Sequence, residues 1–202
     1  AALTVENATF ENNLTGTGGA INNFQSGKVT IKDSVFKKNT SRSHGGAIYL
    51  SSASEKTVIS NTRFEENAAT DASWDGHTGD GGAIQLSGGS LDLTTTNFVK
   101  NTAVRNGGAL SLALGAADKV SATNVDFERN EALLGGAVYV KGGTFEQKGG
   151  SFTGNTAKVA KSEAGVKNTN SGIGGAIYAL GTTIDLTNVE FSDNKAVSGG
   201  AI

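Results

Sequence analysis

Seven times along its 202 residues the chain spells Gly-Gly-Ala followed by an aliphatic residue, starting at Gly18, Gly45, Gly81, Gly107, Gly135, Gly174 and Gly199. Between these stand seven Phe-x-x-Asn pairs, Phe10/Asn13, Phe36/Asn39, Phe64/Asn67, Phe98/Asn101, Phe127/Asn130, Phe152/Asn155 and Phe191/Asn194, in strict alternation. A fixed-period repeat of this kind implies units that cannot bury an apolar face alone and must stack on their neighbours. The uninterrupted unit is 25 to 29 residues long, too short for a propeller blade, and it lacks the amphipathic helix of leucine-rich or ankyrin units. That length suits one coil of a three-sided β-solenoid.

Period-two alternation locates the strands. After each Gly-Gly the fourth and sixth positions are mostly aliphatic, as in Ile48 and Leu50, Ile84 and Leu86, Leu110 and Leu112, Val138 and Val140, while the fifth is mostly polar or Tyr. A second strand precedes each Phe by seven and five residues, as in Leu3/Val5, Val29/Ile31, Leu91/Leu93 and Ile184/Leu186. Three residues before Phe stand Asn7, Asp33, Asn61, Asn124 and Asn188, side chains that tolerate a left-handed corner. The expected fold is all-β, a single-stranded parallel β-helix of about seven coils with three strands per coil. The Phe rings are expected in one column and the Asn amides in a ladder, at roughly 4.8 Å per coil. Residues 1–202 form one elongated unit, with insertions at 68–80 and 156–173 where the Asn-to-Gly spacing lengthens to 14 and 19.

Composition agrees. Glycine supplies 29 residues and proline none, as expected of coils that need positive-φ turns and use their N–H donors in every layer. The hydrophobic share is 37%, which supports a core and argues against low-complexity disorder. A formal charge of −2 gives no reason to expect nucleic acid or an anionic membrane as partner. Without cysteine there is no disulfide framework, thiol nucleophile or cysteine zinc site. No apolar run is long enough to read as a membrane helix or a signal peptide. The chain opens without methionine and ends inside a repeat, so a piece of a longer protein is expected.

Repeats that combine GGA[I/L/V] with FxxN, as Gly45-Gly46-Ala47-Ile48 is followed by Phe64-Glu65-Glu66-Asn67, resemble those of the chlamydial polymorphic outer membrane proteins and related autotransporter passengers. The resemblance spans nearly the whole chain. It implies a right-handed β-helix exported through a C-terminal barrel, displayed at the bacterial cell surface, anchored in the outer membrane or secreted, and used in adhesion. The sequence departs from a full-length member in lacking a barrel and an export signal, and it has none of the cysteines that chlamydial members tend to carry.

Polysaccharide lyases and hydrolases share this architecture, so catalytic groups were sought. Glu65-Glu66 falls where other units read Lys37-Lys38, Glu128-Arg129 or Ser192-Asp193, the pattern of a solvated corner, and no carboxylate cluster stands out on a strand. The insertion 68–80 is the richest constellation, with Asp71, Trp74, Asp75, His77 and Asp80. Its spacing matches neither the EF-hand loop nor the nonapeptide calcium repeat, so no metal is assigned. Trp74, Asp75 and His77 are candidate ligand contacts, since aromatic anchors concentrate binding energy. The insertion 156–173 is basic, with Lys158, Lys161 and Lys167 against Glu163. Both insertions leave the same corner and should project from one side, about 14 Å apart at the stacking distance. Tyr49, Tyr139 and Tyr178 share the outward position after Gly-Gly-Ala and read either as ring stacking or as an aromatic binding strip. His44 reads as a corner residue. The Gly-rich segments lack the Gly-Lys-Ser/Thr of a phosphate loop, and no cofactor is expected.

The expected function is a non-catalytic adhesin or display stalk, contacting a host or neighbouring cell-surface protein or glycan, with no membrane insertion of this segment. The alternatives are a carbohydrate-active β-helix enzyme and an assembly module that associates end to end.

Overall fold

The computed structural model describes residues 2–24, 27–51, 56–71, 79–160 and 171–202. Every regular element among them is a strand, every strand pairing is parallel, and the strands form three sheets wound around one core, a parallel β-helix. Sheet A has twelve strands; sheets B and C have six each. Each coil enters sheet A twice, as Lys28–Lys32 and then Val35–Lys37, crosses sheet B in two residues, Thr40–Ser41, and fills sheet C with four, Ile48–Ser51. In Lys119–Glu128 and Thr144–Thr153 the two sheet A segments fuse into one ten-residue strand, and so the sheet is continuous around that corner.

Register follows the motifs. Phe36 pairs with Phe10 on one side and Phe64 on the other, and Ile48 lies between Ile21 and Ile84. Val29, Ile31, Leu91, Leu93 and the fourth and sixth residues after Gly-Gly are buried through the middle of the stack, whereas Leu3 and Ile184 are only partly covered on the outermost layers. The seven Phe rings form one column, with centroids 4.6 to 5.0 Å apart and planes within 10°. Such cofacial pairs add about 0.5–1.5 kcal/mol each beyond the area they bury.

Asn101 shows why asparagine recurs. Its Oδ1 accepts from the backbone N–H and Nδ2 of Asn67, and its own Nδ2 donates to Phe64 O and Asn130 Oδ1. Buried amides are thereby fully satisfied, and the ladder runs without a break from Asn13 to Asn194. Gly-Gly-Ala has an equally local cause. Gly81 sits at φ 67°, and any Cβ on Gly82 would collide with the carbonyl oxygen of Gly108 in the next coil. The Ala83 carbonyl accepts both the Ala47 and the Ile48 amide, a pinched turn whose alanine is fully buried.

The corner ahead of Phe is left-handed as expected at Asn7, Asp33, Asn61, Asn124 and Asn188, and also at Thr95, where a β-branched residue holds φ 47°. The corner expected between Phe and Asn is present at one of its two positions only. In Phe-x-x-Asn the first x ends a strand, and the second, Lys38, Glu66, Lys100 or Arg129, adopts φ between 52° and 54°. Glu65 and Glu128 therefore lie on a strand face rather than in a solvated corner. Opposite charges meet between adjacent coils at Lys32–Glu6 (3.3 Å), Lys56–Asp92 (2.6 Å) and Lys119–Glu146 (2.7 Å). Each exposed pair adds little stability; together they favour this coil order over a slipped one.

Candidate functional site

Both insertions are grafted onto the ladder without interrupting it. Before the first, Asp71 N–H donates to Arg42 O at 2.9 Å; after it, Gly79 N–H donates to Ser43 O at 2.7 Å, the very next carbonyl of the coil below. Gly79 is needed at this neck: its φ is +84°, and a Cβ would lie 3.0 Å from Asp71 O. Around the second insertion Lys158 N–H reaches Ala132 O at 2.7 Å and Gly172 N–H reaches Leu133 O at 2.8 Å, again neighbouring carbonyls. Ala160 N–H to Ser171 Oγ at 3.0 Å closes that neck. Within the spans 68–80 and 156–173, Ala68–Ala69, Asp80, Thr156–Ala157 and Ile173 are paired ladder residues. Trp74, Asp75 and His77, with Lys161, Glu163 and Lys167, lie outside the described residues.

Between the two necks runs a shallow trough of about 290 Å³. Its floor is apolar, from Ala69 through Ala103 and Val104 to Leu133, and the Lys158–Glu131 ion pair marks its far end. Beyond it Val159 and Val197 are exposed and flank Gly172.

The tyrosine positions do share one register, Tyr49, Gln85, Ser111, Tyr139 and Tyr178 along sheet C. The three rings do not form one strip. Tyr139 and Tyr178 stack at 5.5 Å and 10°, whereas Tyr49 stands three coils from Tyr139 and packs on His44 at 6.0 Å. Gln85 and Ser111, which alternation points to solvent, are buried. Beside them Arg105 Nε lies 2.9 Å from Asp80 Oδ1 and its Nη2 2.6 Å from Oδ2. Burial raises the Tyr139 hydroxyl above the ordinary phenol range, and the Asp80 carboxylate adds to this. Gln85 Oε1 and Asn106 Oδ1 are buried without a hydrogen-bond partner among the described residues.

Of the expected site residues, then, the structure joins Tyr139 to Tyr178 and separates Tyr49. Asp80, Arg105, Gln85 and Asn106 were missed as a group. Asp80 and Arg105 are 25 residues apart, and only their column positions, one at the residue before Gly-Gly and one just ahead of it, bring them together. Among the described residues no three His, Asp or Glu side chains gather around a point that would hold a metal.

A model of the Chlamydia polymorphic membrane protein repeat matches residues 33–51 and 188–202. The chain is similar to a protein described as "Probable outer membrane protein pmp6" of Chlamydia pneumoniae, with 34% identity over 214 residues. That match covers 95% of this chain and 16% of the relative, so the chain spans about a sixth of the relative's length. No solved structure matches. The matched segments open on the corner residues Asp33 and Asn188 and run through Phe-x-x-Asn to Gly-Gly-Ala, the elements that build the Phe column, the Asn ladder and the pinched turn. The chain thus carries repeats of the Chlamydia polymorphic membrane protein type, wound into a parallel β-helix, and over nearly its whole length it is similar to a protein described as a probable outer membrane protein.

Proposed function

We propose that this segment is a non-catalytic display stalk and adhesin, stiffened by its ladders, whose contacts with a host or neighbouring cell surface are made on the side that carries the two insertions. The observation that carries this reading is the pair of closed necks on either side of an apolar trough. Segments that leave and rejoin on neighbouring rungs can vary in length and sequence at little expense to the rod, which is how a solenoid presents variable contacts. Tyr139 and Tyr178 add a second outward aromatic surface on sheet C.

The test compares binding to cultured epithelial cells by the parent chain, a chain with both insertions shortened to their necks, and a Tyr139→Ala/Tyr178→Ala chain. Loss of binding with either change, at unchanged thermal stability, supports the reading; full binding by both overturns it.

One observation favours the carbohydrate-active alternative. Asp126 and Glu128 project from the same face of Lys119–Glu128, a carboxylate pair not expected from the sequence. Incubation with acidic polysaccharides, assayed for new reducing or unsaturated ends, separates the two; new ends that vanish with Asp126→Asn would establish the enzyme.

A further inference from the structure

Sheet A turns inward at the left-handed corner ahead of Phe, and its outer face there is concave. Two hollows, of about 480 and 260 Å³, adjoin on this face and share Arg63 and Asn97. They run along the rod axis from the coil of Asp33 to that of Ser151, four coil steps or about 19 Å at the stacking distance. At both ends of this face polar side chains are satisfied by the neighbouring coil: Asn61 donates to Asp33 at 2.6 Å, and Ser151 to Asp126 at 2.8 Å. In the middle that cross-coil pairing stops. Among the described residues Arg63 uses only its Nε, toward Glu65 at 3.1 Å, and the side chain of Asn97 makes no hydrogen bond. Val99, two residues on, lines the same hollow and is 7% exposed, so it adds a narrow apolar edge beside them.

We propose that this groove is a binding site for a linear, uncharged oligosaccharide, with Arg63 and Asn97 as its central contacts. Hydroxyl groups both donate and accept, and they match an open amide, two guanidinium nitrogens and the Asp126 and Glu128 carboxylates on one face. The exposed edge of Val99 meets sugar C–H groups. The groove is open at both ends and several coils long, which suits a linear chain rather than a compact ligand. Asp33, Glu65 and Glu128 are each paired with a cation, Lys32, Arg63 and Arg129, at 3.1–3.3 Å, so the face carries little net charge and suits a neutral chain better than an anionic one. An extended peptide is the weaker fit. Peptides add to an unpaired strand edge, and the strands Arg63–Glu65 and Asn97–Val99 are paired on both sides.

The site lies on a different face from the insertions and stands independently of the adhesin reading. The experiment titrates the ¹⁵N-labelled 202-residue chain with cellohexaose, with chitohexaose and with a hyaluronan hexasaccharide, following backbone amides by NMR. Binding of at least one neutral hexamer is expected, with shifts centred on the Arg63–Glu65 and Asn97–Val99 strands. An Arg63→Ala/Asn97→Ala chain should bind about tenfold or more weakly, a loss of roughly 1.4 kcal/mol, with an unchanged circular dichroism spectrum. Shortening the insertions should leave this binding intact. No shift with either neutral hexamer, shifts with hyaluronan alone, shifts centred on another face, or parental affinity in the double variant would each overturn the proposal.

Discussion

Arg105 reaches across one coil and holds Asp80 with both prongs of its guanidinium, at 2.9 and 2.6 Å, with the carboxylate side chain only 9% exposed. The pair sits at the point where the first insertion returns to the ladder, one residue beyond Gly79. Removing one partner strands the other charge. Arg105→Ala is therefore expected to cost about 2–3 kcal/mol, below the full range for a buried pair because Arg105 is partly solvated. The double variant Asp80→Asn/Arg105→Gln should recover most of that loss in urea denaturation, and equal losses in the two chains would contradict this account.

The Asn ladder should be intolerant of an isosteric apolar residue. Asn101→Leu would leave the Asn67 backbone N–H without its acceptor and take the side-chain donor from Phe64 O, in a fully buried layer. It would also remove one of two bonds each from Asn67 Nδ2, which keeps Phe36 O, and Asn130 Oδ1, which keeps the residue-101 N–H. At about 1–3 kcal/mol for the buried group left unpaired, with the other lost bonds added, the expected loss is at least ~3 kcal/mol in chemical denaturation. A loss within experimental error would mean that ordered water replaces the amide.

Glycine is essential at some positions and incidental at others. Gly82→Ala drives a methyl group into the Gly108 carbonyl and should prevent stable folding of that coil, seen as loss of the cooperative thermal transition. Gly16 has a negative φ, and a Cβ there meets nothing within 4 Å, so Gly16→Ala should change stability by no more than about 0.5 kcal/mol.

Excision of residues 72–79, joining Asp71 to Asp80, returns the Asn67-to-Gly81 spacing from 14 to the 6 found between Asn39 and Gly45. Because the neck already closes on neighbouring carbonyls, the shortened chain should unfold within about 1 kcal/mol of the parent, a surface-scale change. A collapse of the transition would show that the insertion holds the coil together.

Two carboxyls titrate with the fold. The Asn61 amide holds Asp33 below the ordinary carboxylate range, and Arg63 does the same for Glu65. A lowered folded-state value stabilises the chain above the unfolded-state pKa. That contribution fades as the pH falls below about 4 toward the depressed values. Melting temperature should accordingly decline over this acid range, and the decline should be shallower in Asn61→Ala. An identical acid profile in the variant would remove the Asn61 amide as the cause.

The inward-facing half of this molecule was legible because its pattern is local. Ile48 and Leu50, or Leu91 and Leu93, alternate within one strand, and their burial follows from period two. The outward half was not. Gln85 and Tyr49 hold the same position of the repeat, yet Gln85 is buried and Tyr49 half-exposed, because their surroundings are set by side chains from other coils. Glu128 was misplaced for a related reason: the change from basic to acidic between units resembles a corner, whereas hydrogen bonding extends the strand by one residue and makes Arg129 the left-handed one.

By itself, then, the sequence determined the coil. It set the Phe column, the Asn ladder, the Gly-Gly pinch and the position in the repeat from which insertions depart, since each depends on steric and hydrogen-bonding demands that recur identically in every layer. Only the tertiary structure decided what meets what on the surface: Asp80 with Arg105, Tyr139 with Tyr178 but not with Tyr49, and the open middle of the sheet A groove at Arg63 and Asn97. Those meetings join residues 25 or more positions apart, and which residue lies above which is fixed only when the ladder closes and the insertions are set aside.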